Sequence, residues 1–540
     1  MDSPRSRLAC FLHAGLFSVA LGIAHIHTAL WDAPGWATTA ALLLTFAALA
    51  GLYRAWLLTP GIFLSVLNGA WAGLIYYAIA CHWLGQSANP DPTRFSLVAV
   101  PRSVLSLFLF FPWWALAFGA AKAACLSLRL PRDSLLTVVA FALAMSLADL
   151  MLSDLVYGIP LAPLSRVLLD TPLAWLLPAG GMHLANLILI ATAAALVWAD
   201  FQPLRMATCL MVATALLIPH YWLDRPAGLP LPGMESSSGQ RVFLAQPHLP
   251  RPATVSVASD DPTGGADFTD FIVSRIHEAV RDGVAAQADL IALPENIMPY
   301  DLSQDEGQVE ALARLLPEGT TLVIGFTEVS VTQEGAAFTT RPSNSAAFIG
   351  SGGLQAIYRK AHLVPFGETM PAIAFAMGFD VLAGPSGGYQ AGERIDIFRL
   401  PDLPPFALLI CYEAILSGAV SRETGGAQWL LNISSEGLFG TSIGPRLLLD
   451  YARMRSLETG LPMLRSTATA YSSVIDGHGS VIEALPLESA GSLVAAIPPN
   501  VPTLFRMTGY VPLYAILAVM ALALLGASRF AWTRQNLVRQ

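Results

Sequence analysis

Eight apolar stretches, near the ~20 residues a helix needs to cross a bilayer, limit what this chain can fold into. Seven precede residue 225: Ala9 to Leu30, Thr38 to Leu58, Gly61 to Trp83, Val104 to Cys125, Leu135 to Val156, Ala179 to Trp198 and Met206 to Trp222. The eighth runs from Tyr510 to Phe530. Inside a bilayer every backbone N–H and C=O must find a partner within the protein, so such stretches are helices. With 54% hydrophobic and 13% charged residues and a mean hydropathy of +0.56, the chain is too apolar for an ordinary soluble enzyme. The expected fold class is a membrane α-helical bundle of eight transmembrane helices plus an α/β domain between spans seven and eight.

Alternating the spans from a cytoplasmic N-terminus puts Arg5, Arg7, Arg54, Lys122, Arg129, Arg132, Arg205, Arg529, Arg534 and Arg539 inside. Only Arg94, Arg102 and Arg166 fall in outside loops, so the bias in positive charge predicts an extracytoplasmic α/β domain, periplasmic in a bacterium. Asp149, Asp154, His183 and Asn186 lie in or near these spans, where ionisable groups are functional by default; here they are read as close to an interface or a water-filled crevice. A net charge of −8 and the lack of any Lys/Arg run exclude nucleic acid as a partner and leave no polybasic lipid-binding segment.

Residues 1–224 form the expected seven-helix domain, 225–252 a linker rich in Pro, Gly and Ser, 253–503 the α/β domain, and 504–540 the last span with a cytoplasmic tail. In the third of these, ATVSVAS reads as the first strand, and Phe268, Phe271, Ile272, Ile276, Ala279 and Val280 recur at helical spacing up to Gly283. DLIALPE, TLVIGFTEV, SAAFIGS, GLQAIYRK, FALLICY and WLLNISS are further strand candidates. Strands alternating with helices predict a layered α/β sandwich.

Beyond residue 225 there is one cysteine, Cys411, and one lysine, Lys360; the whole chain holds two lysines against 28 arginines. Where arginine is used almost everywhere, a lone lysine points to a site that needs a compact ammonium. The other cysteines, Cys10, Cys81, Cys125 and Cys209, lie in or at the edges of apolar segments, so no CxxC metal spacing exists and the α/β domain cannot hold an internal disulfide. Cys10 stands at the start of its apolar run and not after it, which argues against a lipoprotein signal. Glu295 follows DLIALP, Lys360 follows LQAIYR and Cys411 follows FALLI, each at a strand end, where a rigid sheet can bring side chains together. Cysteine as nucleophile, glutamate as general base and lysine as oxyanion donor suffice for acyl transfer through a thioester.

The strings LPENIMP, YRKAHLVPFGETMP, ICYEAI and GLFGTSIGPRLLLDYARMRSLETGLPMLRST together resemble the bacterial apolipoprotein N-acyltransferases, membrane-anchored members of the nitrilase superfamily. The resemblance covers the whole layout, and HLVPFGE after the lysine is its most specific piece. It implies a nitrilase-like α-β-β-α sandwich with Glu295, Lys360 and Cys411 as the catalytic triad, and Glu368, Tyr412 and Glu413 in support. It also implies transfer of a fatty acyl chain from a phospholipid, through a Cys411 thioester, to the N-terminal amine of diacylglyceryl-cysteine in apolipoproteins. No cofactor or metal is implied, and the expected setting is a monomer in the bacterial inner membrane, its catalytic domain facing the periplasm.

Three strings depart from the family pattern. Ser435, Glu436, Gly437, Leu438 and Phe439 stand where the family has Asn-Asp-x-Trp-Phe, Ala468, Thr469 and Ala470 where it has Asn-Asn-Gly or similar, and ASDDPTGG where it has a Gln-x-Asn-type string. PAIAFAMGF (371–379) and ISSEGLF read either as a mobile lip or acyl channel or as plain core packing. The three departures change residues expected to shape the acceptor and acyl pockets, and they leave alternatives open. One is a nitrilase-superfamily acyltransferase or amidase with a different acceptor, similar to conjugal-transfer homologues of this domain. Another is a non-catalytic membrane scaffold, which would have no reason to keep the only Lys and Cys of its α/β domain at these places.

Overall fold

The computed structural model describes residues 4–27, 35–84, 99–156, 158–199, 202, 205, 239–249, 264–334, 337–369 and 388–539. They fall into two compact units: the helices before residue 200 with the C-terminal helix, and the strands and helices between 239 and 506.

The first unit contains α1 (Pro4–His27), α2 (Gly35–Leu58), α3 (Ile62–Ala80), α4 (Ala99–Ser127), α5 (Leu135–Leu150), α6 (Leu176–Ala199) and a C-terminal helix Val511–Arg539. Glycines let its helices approach closely, as lipid-facing bundles require in place of a hydrophobic driving force. A Cβ at Gly15 would stand 2.8 Å from the Trp71 indole nitrogen, and one at Gly22 2.8 Å from Ile79 Cβ. Aromatic rings fill the interior, Tyr76 stacking on Trp114 at 5.1 Å. Lys122 is buried here: its Nζ donates to the carbonyls of Trp56 (2.9 Å) and Leu57 (3.4 Å) in the last turn of α2, where the helix dipole favours a cation.

Among the described residues, five helical stretches are long and apolar enough to cross a membrane: Arg7–Ile26, Trp36–Leu58, Ile62–Ala80, Leu135–Leu155 and Leu176–Ala199. The expected fourth span falls on the 29-residue helix α4, and the eighth on the 29-residue C-terminal helix, whose Val511–Ala527 part is apolar. The expected seventh span, Met206 to Trp222, lies outside the described residues.

α5 ends in a π-turn, Met151–Leu155, and α6 is broken at Gly180 and Gly181, the latter at φ 74°, a conformation that favours glycine. Across these irregularities His183 Nδ1 lies 2.6 Å from Asp149 Oδ2 and His183 Nε2 lies 2.7 Å from Asp154 Oδ2. Asn186 Nδ2 donates to Asp149 at 2.8 Å, so the polar groups singled out in the spans pair with one another.

The second unit is built from two six-stranded sheets. β1 (Arg241–Gln246), β2 (Leu290–Ala292), β3 (Thr321–Glu334), β4 (Ala337–Gly350), β5 (Gly353–Arg359) and β12 (Gly491–Ala496) form the first, in the order β12-β1-β2-β3-β4-β5. β6 (Ile397–Phe398), β7 (Phe406–Ile410), β8 (Trp429–Ser434), β9 (Met463–Thr467), β10 (Ser473–Ile475) and β11 (Val481–Ala484) form the second, in the order β11-β10-β9-β8-β7-β6. Each has a parallel centre, β1-β2-β3 and β7-β8-β9, flanked by antiparallel strands.

Alternation along the strands builds the layers. Val242, Leu244, Leu290 and Ala292 face Phe406, Leu408, Ile410, Trp429 and Leu431 of the other sheet. Their neighbours Phe243, Ala245 and Ile291 face Ile272, Ile276 and Val280 of helix Gly264–Ala285, and Leu312 of helix Glu306–Ala313. A β-strand buried on both faces has no polar side to show, which is why these segments read as unbroken apolar runs.

β1 lies inside the stretch expected to be linker, 225–252. Its six residues are short and flanked by Pro-, Gly- and Ser-rich sequence, so composition hid it; the strand expected at ATVSVAS lies outside the described residues.

Candidate active site

Three chain ends converge at one edge of the sandwich. β2 runs into Leu293-Pro294-Glu295, β5 ends one residue before Lys360, and β7 ends one residue before Cys411. Cys411 sits at φ 50°, a left-handed conformation costly for a residue with a side chain, at the turn from β7 into the 3₁₀ helix Cys411–Ile415. Strain of this kind persists only where the surroundings fix it.

Lys360 is fully enclosed, 1% exposed, with its ammonium 2.8 Å from Glu368 Oε1 and 3.7 Å from Glu295 Oε1. Asn344 on β4 donates through one amide nitrogen to both carboxylates, at 2.7 Å to Glu295 and 3.0 Å to Glu368, and its backbone carbonyl accepts from the Lys360 N–H. The second oxygen of Glu295 accepts from the Ser435 N–H at 2.7 Å, and the second oxygen of Glu368 from the Val364 N–H at 2.8 Å. Each carboxylate is thus held at both oxygens.

Burial works against the Lys360 ammonium, yet the charges of Glu295 and Glu368, with the Glu368 hydrogen bond, together raise its pKa. It stays a cation. Burial and the nearby Glu295 raise the Cys411 thiol pKa, and Lys360 and a hydrogen bond with Ser434 offset them only in part. Cys411 therefore rests as a thiol, and to act as a nucleophile it would need a base to take the proton in the same step.

Glu413 organises the scaffold behind Cys411. It is completely buried; one oxygen accepts from Tyr358 Oη (2.8 Å), the Ala361 N–H (2.8 Å) and the His362 N–H (3.1 Å), and the other from the Ile410 N–H (2.7 Å). One side chain thereby ties the residues after Lys360 to the residue before Cys411. Tyr412 is buried in the same 3₁₀ turn. His362 pairs with Glu423 at 3.1 Å, and Glu423 also accepts from the Ile395 N–H, fixing the loop that carries Glu368 to helix Ser417–Glu423.

Sequence reading missed Asn344 and Gly325. Asn344 is 1% exposed in a polar part of β4 (Ser343-Asn344-Ser345), where nothing in the sequence sets it apart, and its burial requires partners for its amide. Gly325 on β3 is no more conspicuous, but a Cβ there would stand 2.5 Å from Glu295 Cα and 2.6 Å from both the Asn296 nitrogen and the Pro294 oxygen. Gly325→Ala is expected to push Glu295 out of place and to lower turnover by roughly ten- to a hundred-fold, since misplacing a reacting group by about 1 Å costs that much. An acylation assay together with thermal unfolding checks this; unchanged turnover would show that Glu295 tolerates displacement.

At two of the departures from the family pattern the hydrogen bonds are made by the backbone, not the side chain. Ser435 offers Glu295 its N–H, while Ala468 donates its N–H to the Ser434 carbonyl and accepts from the His248 N–H. Leu438 is 49% exposed. PAIAFAMGF lies outside the described residues.

Residues 268–506 match the carbon-nitrogen hydrolase model, so the two-sheet unit is a nitrilase-like α/β domain. Residues 62–195 match the apolipoprotein N-acyltransferase N-terminal domain. An apolipoprotein N-acyltransferase from Bradyrhizobium diazoefficiens is 30% identical over 493 residues, covering 88% of this chain and 86% of the relative. One from Rhodopseudomonas palustris is 28% identical over 476 residues, covering 86% of each. The chain belongs to the apolipoprotein N-acyltransferase family, within the nitrilase superfamily. A solved Nesterenkonia amidase, 19% identical, covers 53% of this chain and 99% of its own with a TM-score of 0.35, a likeness too low to carry an argument.

Proposed function

We propose that this chain moves a fatty acyl group from a phospholipid to the N-terminal amine of diacylglyceryl-cysteine in apolipoproteins, through a thioester on Cys411. One observation carries the reading: in a member of this family, a buried lysine ammonium 2.8 Å from one carboxylate and 3.7 Å from another is electrostatically coupled to a partly buried thiol. Cys411 Sγ attacks the ester carbonyl while Glu295 takes the thiol proton; the C–S bond forms and the carbonyl electron pair moves to oxygen, where Lys360 stabilises it. The ester C–O bond then breaks, and the Glu295 proton leaves with the lysophospholipid. In the second half the acceptor amine attacks the thioester, Glu295 takes its proton and returns it to the departing sulfur. Glu368 and Glu413 hold Lys360 and the turn in place, and Tyr412 supports the turn.

The layout we propose with it has seven spans in residues 1–224, a connecting stretch, a catalytic domain to 503 and a last span. The setting is the bacterial inner membrane, with the catalytic domain on the periplasmic side and the enzyme acting as a monomer. Five long apolar helices and family membership support the multi-pass setting, and both substrates are bilayer-anchored lipids, so tethering the domain at both ends keeps it at their surface. The acceptor is tested by mass spectrometry of lipoprotein N-terminal peptides from cells depleted of the protein and then re-supplied. The expected result is conversion of diacylated to triacylated peptides; peptides that stay diacylated would remove the lipoprotein assignment and leave the acyl chemistry standing.

A further inference from the structure

Beside the triad lies an ion pair whose hydrogen-bonding capacity is half used. Glu436, the first residue of the 3₁₀ turn Glu436–Phe439, and Arg465 on β9 are each 2% exposed and joined through Glu436 Oε1 and Arg465 Nη2. Ser434 Oγ also donates to Glu436 Oε1 at 3.1 Å, and Arg465 Nε donates to Asn432 Oδ1 at 3.0 Å. Among the described residues, Glu436 Oε2 and Arg465 Nη1 have no hydrogen-bond partner although both atoms are shut off from solvent. A buried carboxylate oxygen and a buried guanidinium nitrogen left unmet each cost on the order of 1–3 kcal/mol or more, so a group that satisfies both is expected. The pair is next to the chemistry: Ser435, between Ser434 and Glu436, is the residue whose N–H holds Glu295, and Ile433 pairs across the sheet with Ile410, which precedes Cys411.

An unmet acceptor and an unmet donor on one ion pair complement a peptide amino terminus, whose ammonium donates and whose first carbonyl accepts. We infer that the Glu436–Arg465 pair binds the amino-terminal residue of the acyl acceptor, Glu436 Oε2 accepting from the α-ammonium and Arg465 Nη1 donating to the first carbonyl oxygen. The inference rests on the acyl-transfer reading above and adds to it the site of the second substrate. It also supplies a missing proton step. An α-amino group with a pKa of about 7.7–8.0 arrives largely as ammonium and cannot attack until it has lost a proton. Glu436 takes that proton and leaves a neutral amine; the amine forms the C–N bond as the C–S bond breaks, and its second proton passes through Glu295 to the sulfur. Glu436 then releases its proton to water, so one acyl-enzyme and one ammonium give one amide, one thiol and one proton. Burial, offset only in part by Arg465, raises the Glu436 pKa, the direction such a proton acceptor needs. The short turn carrying Glu436, with Leu438 half exposed, is the cover that shifts to admit the chain end.

The test compares two nucleophiles on the same isolated acyl-enzyme: a short peptide with a free α-amine, and hydroxylamine, which is neutral at pH 7 and has no carbonyl to place. In Glu436→Gln the ratio of peptide to hydroxylamine rates is expected to fall about 30-fold at pH 7, equivalent to losing one good charged hydrogen bond, and to recover as the pH rises above the α-amino range. A ratio equal to that of the unaltered enzyme across pH overturns the inference. If Glu436→Gln yields no acyl-enzyme, the unaltered enzyme decides: a peptide should outpace an otherwise matched amine lacking the first carbonyl by about ten-fold or more, and equal rates overturn the inference. An unaltered enzyme that never forms a thioester removes the acyl-transfer reading itself, and that outcome is distinct from both.

Discussion

Lys360→Arg protein is expected to lose acyl transfer by about 100- to 1000-fold although the positive charge is kept, the loss seen when one oxyanion donor is removed. The reason is geometric. The Lys360 side chain is 0% exposed and its single nitrogen meets Glu368 at 2.8 Å and Glu295 at 3.7 Å. A guanidinium is larger and planar, and in that enclosure it would fork across the two carboxylates, which it suits better than it suits one developing oxyanion. Steady-state rates with a fluorescent phospholipid donor, alongside thermal unfolding, separate lost chemistry from lost fold. Activity within a few-fold of the unaltered protein would show that a delocalised cation serves equally well, and the significance of a lone lysine would disappear.

Glu413→Ala is expected to destabilise the catalytic domain by about 3–5 kcal/mol, the range for breaking a buried charged network by removing one partner. Four donors lose their acceptor at once: Tyr358 Oη and the backbone N–H groups of Ala361, His362 and Ile410. Glu413→Gln should fall between, because its amide keeps one acceptor oxygen but turns an NH₂ toward donors. Since Glu413 joins the segment after Lys360 to the strand that ends at Cys411, turnover should fall with stability in both variants. Chemical denaturation of the detergent-solubilised protein checks the order Ala below Gln below unaltered; a Gln variant as labile as Ala would mean that charge, not acceptor count, holds the segment.

How much of this was legible in the sequence depended on whether a signal was local. Apolar runs marked α1, α2, α3, α5 and α6 because a membrane helix declares itself in one continuous segment. The strands ending before Glu295, Lys360 and Cys411 were legible for a similar reason, and the rarity of lysine and cysteine singled out the side chains at their ends. β1 was not, since six residues paired with β2 and β12 acquire their meaning only from partners about 45 and 250 residues away. Gly325 was invisible because its role is to leave room for another strand's backbone, and Asn344 because its two acceptors come from separate loops. Lys122, expected among the cytoplasmic charges, also caps the end of α2, a contact that no reading of span polarity foretells. The half-used pairing of Glu436 and Arg465 likewise appears only once β8 and β9 are side by side.

The measurement that bears most directly on the central claim is intact-protein and peptide mass spectrometry of the purified protein after mixing with phospholipid. The account predicts an added mass of one fatty acyl group, located on Cys411, released by hydroxylamine and absent from Cys411→Ala protein. The same increment on Cys411→Ala, or no increment on the unaltered protein under conditions in which it transfers acyl groups, would contradict the thioester on which the account depends.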